Sequence, residues 1–328
     1  MIQQAPDPFF IVGCGRSGTT LLRTLLNGHP QVGVPQESLF IVDYLKSVSG
    51  AGLSVLKALI VREPELGEWG IDPEVGDLKG CDTVADVIDR LHQIYLALHG
   101  KSRWGQKTPR FVRSIDLLLE YFPGARFVHL VRDPRAVVSS LIASDVHRSN
   151  AYFGARRWLR DVGLGMASER THSGRVLRVR YEDLVADPEL ILRPISRYLG
   201  FDYDPSMIRD AAGAAREYSR FYEAIHANLS QSPTDRFVNQ WKERLTRTQI
   251  EVVEGICGSL MVELGYEPSL IPPPPKPDRT VGMSLDRAWG LLRQAAQYLR
   301  FRRRYLFYAV YRKWRLGLLR DFILDVSY

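Results

Sequence analysis

The chain has 328 residues, 45% apolar and 25% charged, a composition that excludes disordered, collagen-like and fibrous proteins. Its three cysteines (Cys14, Cys81, Cys257) form no CxxC pair and its seven histidines no HExxH motif, so neither a disulfide framework nor a metal site is expected. The net charge of +7 is localised: residues 279–328 hold 11 basic and 3 acidic residues against 33 and 34 in the rest, so the bulk of the chain lacks the surplus of a nucleic-acid binder.

Phe9 to Val12 is a short apolar run of the buried parallel-strand kind, leading into Gly13-Cys14-Gly15-Arg16-Ser17-Gly18. Thr19 to Leu26 comes next, with leucines at helical spacing, and stops at Asn27-Gly28. Strand, glycine loop and helix open a phosphate-binding α/β fold. Trp104 to Pro109 reads as a polar loop carrying Lys107, before a helical stretch from Phe111 to Phe122. A second strand over Ala125–Val131 closes at Arg132-Asp133-Pro134, where Asp133 suits a helix cap and Pro134 a first turn. A third strand is expected over Arg175–Val179, ahead of Tyr181-Glu182-Asp183, and a helix from near Pro188 to Gly200. Successive βα units argue for a central parallel sheet flanked by helices.

Further along, residues 226–240 read as a polar surface loop and Trp241–Leu264 as one helix. Pro272 to Pro275 reads as a stiff linker, which would hold the main domain clear of a membrane surface on which the C-terminal segment docked. Three parts are therefore expected: a domain over 1–270, a linker over 271–278, and an arginine- and aromatic-rich helical extension over 279–328. That extension suits either an anionic membrane surface or packing on the domain or a second subunit. No leader-type apolar stretch precedes Phe9, and no run reaches the ~18 apolar residues of a membrane span, so a cytoplasmic protein, at most peripheral to a membrane, is expected.

The glycine spacing Gly13-x4-Gly18 is that of a P-loop, whose backbone N–H groups and helix N-terminus favour a phosphate. A nucleotide hydrolase places Lys directly after the last glycine; here Thr19 stands there and the loop's cation is Arg16. No aspartate of Walker-B type stands at a strand end, so magnesium-dependent ATP hydrolysis fits poorly.

On these residues the chain resembles the sulfotransferases that use 3′-phosphoadenosine 5′-phosphosulfate (PAPS). Gly13 to Thr20 is similar to their 5′-phosphosulfate loop, and Val131 to Ser140 to their 3′-phosphate motif. The resemblance is closest to the tyrosylprotein sulfotransferase branch and its bacterial relatives. It includes Arg16-Ser17-Gly18-Thr19-Thr20-Leu21, His29-Pro30, Glu37, Lys107, Tyr181-Glu182 and Leu199-Gly200, and covers about residues 9–267 but not the tail.

The resemblance implies a P-loop-like α/β fold and in-line transfer of a sulfuryl group from PAPS to a hydroxyl, with no metal. Gly15, Arg16, Ser17, Gly18, Thr19 and Thr20 would hold the 5′-phosphosulfate; Arg132 and Ser140 would hold the 3′-phosphate. Arg16 and Lys107 would meet charge on the leaving oxygen, and Glu37 would be the general base, with His129 the alternative. Tyr181, Arg236 and the serines near 230 would contact the adenosine; Gln240-Trp241-Lys242 departs from the family pattern by placing the lysine beyond the tryptophan. The acceptor is not encoded in any motif; a carbohydrate, glycolipid or lipid hydroxyl is preferred and peptide tyrosine is the alternative. The competing readings are a catalytically silent scaffold that works through its basic tail and, more remotely, an atypical P-loop hydrolase.

Overall fold

The computed structural model describes residues 7–47, 50–144, 149–210, 236–271, 274–301 and 303–319. Five strands, β1 (Phe9–Gly13), β2 (Val32–Gly33), β3 (Arg103–Lys107), β4 (Arg126–Val131) and β5 (Val176–Arg180), form one sheet in the order β2-β3-β1-β4-β5. All pairings are parallel, with Ile11 opposite Lys107 on one side and Gly13 opposite Leu130 on the other. The fold is the α/β parallel sheet with flanking helices that the βα repetition implies.

Both faces of β1 are buried, which explains its unbroken apolar run. Phe10 and Val12 pack with Trp104, Phe111 and Phe127 on one side. Phe9 and Ile11 pack on the other with Leu22, Leu25 and Leu26 of α1 (Thr19–Asn27) and with Leu192 and Ile195. A third cluster joins Val131 and Val137 to Trp158 and Met166 and to Val253 and Cys257.

Beyond β2, α2 (Phe40–Leu45), α3 (Leu53–Ile60), α4 (Pro64–Glu68) and α5 (Val84–Leu98) lead to β3; α6 (Ile115–Tyr121) precedes β4. After β4, Asp133 caps α7 (Pro134–Ala143), accepting from the Arg135 N–H at 2.8 Å, with Pro134 at the first position. Then α8 (Ala151–Thr171) leads to β5, followed by α9 (Tyr181–Ala186) and α10 (Pro188–Leu199), which Gly200 ends at φ 83°.

Three expectations need correction. The polar stretch carrying Lys107 is strand β3, because Gly105 accepts the Phe9 ring where a Cβ would lie 2.2 Å from Cζ, and Gln106 is bound by the Gln36 carbonyl and Thr108. The helix expected over Trp241–Leu264 breaks near Leu245, because Thr246 and Gln249 form a reciprocal cap that starts a new helix, Arg247–Glu263. Residues 236–239 are helical rather than loop; 226–235 fall outside the described residues.

The proline segment itself packs on the domain. Pro275 lies against Gly255 of the Arg247–Glu263 helix, so close that a Cβ on Gly255 would stand 2.5 Å from its carbonyl oxygen. Beyond it, the helices Val281–Phe301 and Arg303–Arg315 run back over the domain. Asn150 donates to the Met283 carbonyl at 2.8 Å, and Tyr308 Oη donates to the Leu59 carbonyl at 2.6 Å. Arg312 is buried against Glu63 (2.6 Å) and Asp43 (2.9 Å), while Leu316 and Leu318 join the core under α2 to α5.

Candidate active site

From β1 the chain builds outward in both directions, through β3 to β2 and through β4 to β5. The carboxyl end of β1 is therefore the switch point of the sheet, the place where open α/β sheets generally bind their ligands. The glycine loop, Lys107 at the end of β3 and Arg132 just after β4 all arrive there.

The loop's glycines are required by its shape. Gly13 sits at φ 149°, where a Cβ would lie 2.4 Å from the Leu130 carbonyl oxygen of β4. Gly18 sits at φ 89°, and a Cβ there would stand 2.2 Å from the Tyr181 ring. Among the described residues, Arg16 is the only non-glycine with positive φ, at 75°. That strain, ordinarily ~1–3 kcal/mol, is of the kind found at ligand clamps.

Arg16 Nε donates to Ser140 Oγ of α7 at 2.9 Å, and Arg132 donates to the Arg16 carbonyl at 3.0 Å. Arg132 also donates to the Phe237 carbonyl at 2.6 Å, and its guanidinium lies 4.2 Å over the Tyr181 ring. Its Nε is buried with no hydrogen-bond partner among the described residues. Burial, followed by repulsion from Arg132, pushes the Arg16 guanidinium down to about 10; Glu37 opposes this and Arg157 adds to it. Three arginines thus crowd one edge of the loop, a field suited to an anion.

On the other side, Lys107 is buried, and its Nζ donates to Glu37 Oε1 at 2.5 Å and to Thr20 Oγ1 at 3.3 Å. Glu37 is the more open member of the pair, with 30% of its side chain exposed. Ser17 Oγ is fully buried and unpartnered among the described residues, the state of a donor that awaits a ligand oxygen.

The residues expected to hold the phosphates and to act in the transfer lie in two groups: Arg16, Ser140, Arg132 and Tyr181 on one side, and Lys107, Glu37 and Thr20 on the other. Gly15, Ser17, Gly18 and Thr19 lie between them. His129 is elsewhere: fully buried in β4, with Nδ1 2.7 Å from Glu169 Oε1. Arg236 starts the short helix Arg236–Asn239, and Ser230 and Ser232 lie outside the described residues. Lys242 stacks over the Trp241 ring at 5.8 Å.

One contributor escapes motif reading, and a second, Glu182 of the Tyr181-Glu182 pair, has contacts that the motif does not specify. Arg157 of α8 reaches the loop, its Nη2 2.9 Å from where a Gly15 Cβ would be. Its pairing with Asp161, one helical turn on, is the one local signal. Glu182 accepts from the Asp133 N–H at 3.0 Å and from Tyr266 Oη at 2.9 Å, tying α9 to the start of α7. Burial raises its carboxyl above the usual range.

The sulfotransferase family model matches residues 8–205, which include both groups. The nodulation protein NoeE of Sinorhizobium fredii is 28% identical over 288 residues, covering 80% of this chain and 66% of NoeE. A putative protein-tyrosine sulfotransferase of Caenorhabditis briggsae is 24% identical over 278 residues, covering 82% of this chain and 92% of that protein. The sulfotransferase domain from the curacin biosynthetic pathway superposes with a TM-score of 0.58 at 19% identity, over 80% of this chain and 98% of that domain, and so shares the fold. A family match spanning the glycine loop, Glu37, Lys107 and the Arg132–Ser140 unit, on this sheet, makes the chain a member of the sulfotransferase family.

Proposed function

We propose that this enzyme transfers a sulfuryl group from PAPS to a hydroxyl of a carbohydrate or lipid-linked acceptor and releases 3′-phosphoadenosine 5′-phosphate. The observation that carries the reading is the pair of cation groups on either side of one glycine loop, which suits a donor with two separate anionic centres. Arg132 and Ser140 sit where one strand–helix junction can take the 3′-phosphate, with Arg132 Nε still unpartnered among the described residues. The loop, with Ser17 Oγ buried and unpartnered, takes the other centre.

PAPS supplies the activated sulfuryl group; the chain supplies position and charge. Lys107, held by Thr20 and Glu37, fixes the carboxylate and stands ready to stabilise charge on the leaving oxygen. Glu37 accepts the acceptor's proton, its partial exposure giving a hydroxyl access. Arg16 lies within electrostatic reach of both Glu37 and Arg132 and so links the groups. A silent scaffold would have no use for the strained Arg16 backbone or for a buried Ser17 Oγ that has no partner among the described residues.

Incubating labelled PAPS with fractionated host-cell extract tests the reading. Label should enter a carbohydrate- or lipid-containing fraction with the wild-type protein and not with Glu37→Gln. Label confined to peptide tyrosine would move the acceptor to the alternative, and no transfer into any fraction would contradict the proposal.

A further inference from the structure

The tail helices turn one side to the domain and leave another uncovered. Arg312 and Lys313 are taken up by Asp43 and Glu63, and Met283 packs beside α8. The opposite side of the Val281–Phe301 helix exposes Leu285, Trp289 and Leu292, which recur at i, i+4 and i+7 and so form one stripe. Phe307, Tyr311 and Trp314 continue the pattern on the Arg303–Arg315 helix, with Phe307 65% and Trp314 60% exposed. Residues 281–315 carry nine Lys or Arg and a single acidic residue, Asp286; Arg312 and Lys313 face the domain's carboxylates, while Arg300, Arg303, Arg304 and Arg315 are exposed. No described helix is long and apolar enough to cross a membrane, so such a surface can lie on a bilayer but not span one.

We infer that the helix pair 281–315 is a docking surface for anionic lipid bilayers, with the aromatic stripe entering the headgroup boundary and the surrounding arginines meeting lipid phosphates. Charge complementarity selects this occupant. A second copy would set one strongly cationic face against another, which repels. A nucleic acid would answer the charge but not the aliphatic Leu285 and Leu292. Anionic lipid answers both, through headgroup phosphates and the acyl boundary beneath them. The geometry adds a consequence. The helix pair touches Asn150 and Phe153 at the start of α8 and also Asp43, Leu59 and Glu63 of α2–α4, and α2 begins three residues after Glu37. The docked face therefore lies on an element anchored to the segment that carries Glu37. Lipid binding of this kind is separate from the transfer chemistry, and its test needs no turnover.

The test is co-sedimentation of the full chain with vesicles of phosphatidylcholine alone or with about 30% phosphatidylglycerol, at ~0.1 M and ~0.5 M NaCl. Wild-type protein should sediment with the anionic vesicles at least about tenfold more than with neutral ones, and higher salt should release it. Trp289→Ala/Phe307→Ala/Trp314→Ala and Arg303→Glu/Arg304→Glu should each lose most of that binding. All five side chains are exposed, so melting temperature and binding of 3′-phosphoadenosine 5′-phosphate should stay at wild-type values and verify the fold. Wild-type protein left in the supernatant, equal binding to neutral vesicles, or variants that sediment like wild type would overturn the inference. So would light scattering that shows a wild-type dimer which the triple variant converts to monomer, or duplex DNA that is retained through the same residues in preference to lipid.

Discussion

Glu37 Oε1 and Lys107 Nζ stand 2.5 Å apart at the carboxyl edge of the sheet, the lysine buried at the end of β3 and the glutamate partly open to solvent. The pairing gives the carboxylate a fixed orientation before any substrate arrives. Glu37→Gln keeps the shape but cannot accept a proton. Turnover should fall ~10²–10⁴-fold with donor affinity nearly unchanged, read by steady-state kinetics beside calorimetry. Near-native turnover would reduce Glu37 to a structural partner of Lys107.

Arg132→Ala should cost about 1.5–3 kcal/mol in binding of 3′-phosphoadenosine 5′-phosphate and much less in binding of AMP. Because Arg132 also holds the Arg16 carbonyl and stacks on Tyr181, part of the loss should reach both nucleotides. A uniform loss, with no change in discrimination, would mean that Arg132 serves the loop and not the extra phosphate.

Arg16→Gly should separate stability from function. Glycine adopts φ 75° without strain, and the crowding with Arg132 and Arg157 is relieved, so unfolding free energy should rise by about 1 kcal/mol. Donor affinity should nevertheless fall. Denaturant unfolding and calorimetry on the same sample measure both; a destabilised variant would show that the Ser140 hydrogen bond outweighs the backbone strain.

Arg312→Met removes the cation shared by Asp43, Glu63 and Glu65 and leaves three carboxylates in a buried place. Breaking such a cluster should destabilise the protein by about 3–5 kcal/mol in urea unfolding. A loss below ~1 kcal/mol would show that the tail is not bound to the domain in solution.

Burial, followed by the Asp161 carboxylate, pushes the Cys14 thiol up to about 12, and Cys257 is raised as well. The thiolate is the reactive form, so Cys14, although it lies in the glycine loop, should resist a thiol reagent at pH 8. Titration should find the three thiols only after denaturation.

The glycine loop is readable because its function is carried by backbone shape, which leaves glycines at fixed spacing beside a strand and a helix. Arg132, Asp133 and Ser140 were readable for a similar reason: one strand–helix junction carries all three. Lys107 is expected on a loop but stands on a strand, β3. Arg-Trp-Gly-Gln-Lys has no strand periodicity, and β3 depends on the Phe9 ring over Gly105 and on partners for Gln106 from His92 of α5 and the Gln36 carbonyl. Arg157 is not readable as a site residue, and the contacts of Glu182, visible only as part of the Tyr181-Glu182 pair, are not readable either, because tertiary packing alone brings α8 and α9 to the loop. The tail's charge and aromatics were visible, but that Arg312 is buried while Arg303 and Arg304 are exposed depends on the acidic pocket of α2–α4.

The central claim is a site built for two anionic centres on one nucleotide. Calorimetric titration of the wild-type chain with 3′-phosphoadenosine 5′-phosphate and with AMP, in the presence of EDTA, measures this directly. The bisphosphate should bind at least about tenfold more tightly than AMP, as expected for one added charged hydrogen-bonding partner. Equal affinity for the two nucleotides would contradict the assignment of Arg132 and Ser140, and with them the donor.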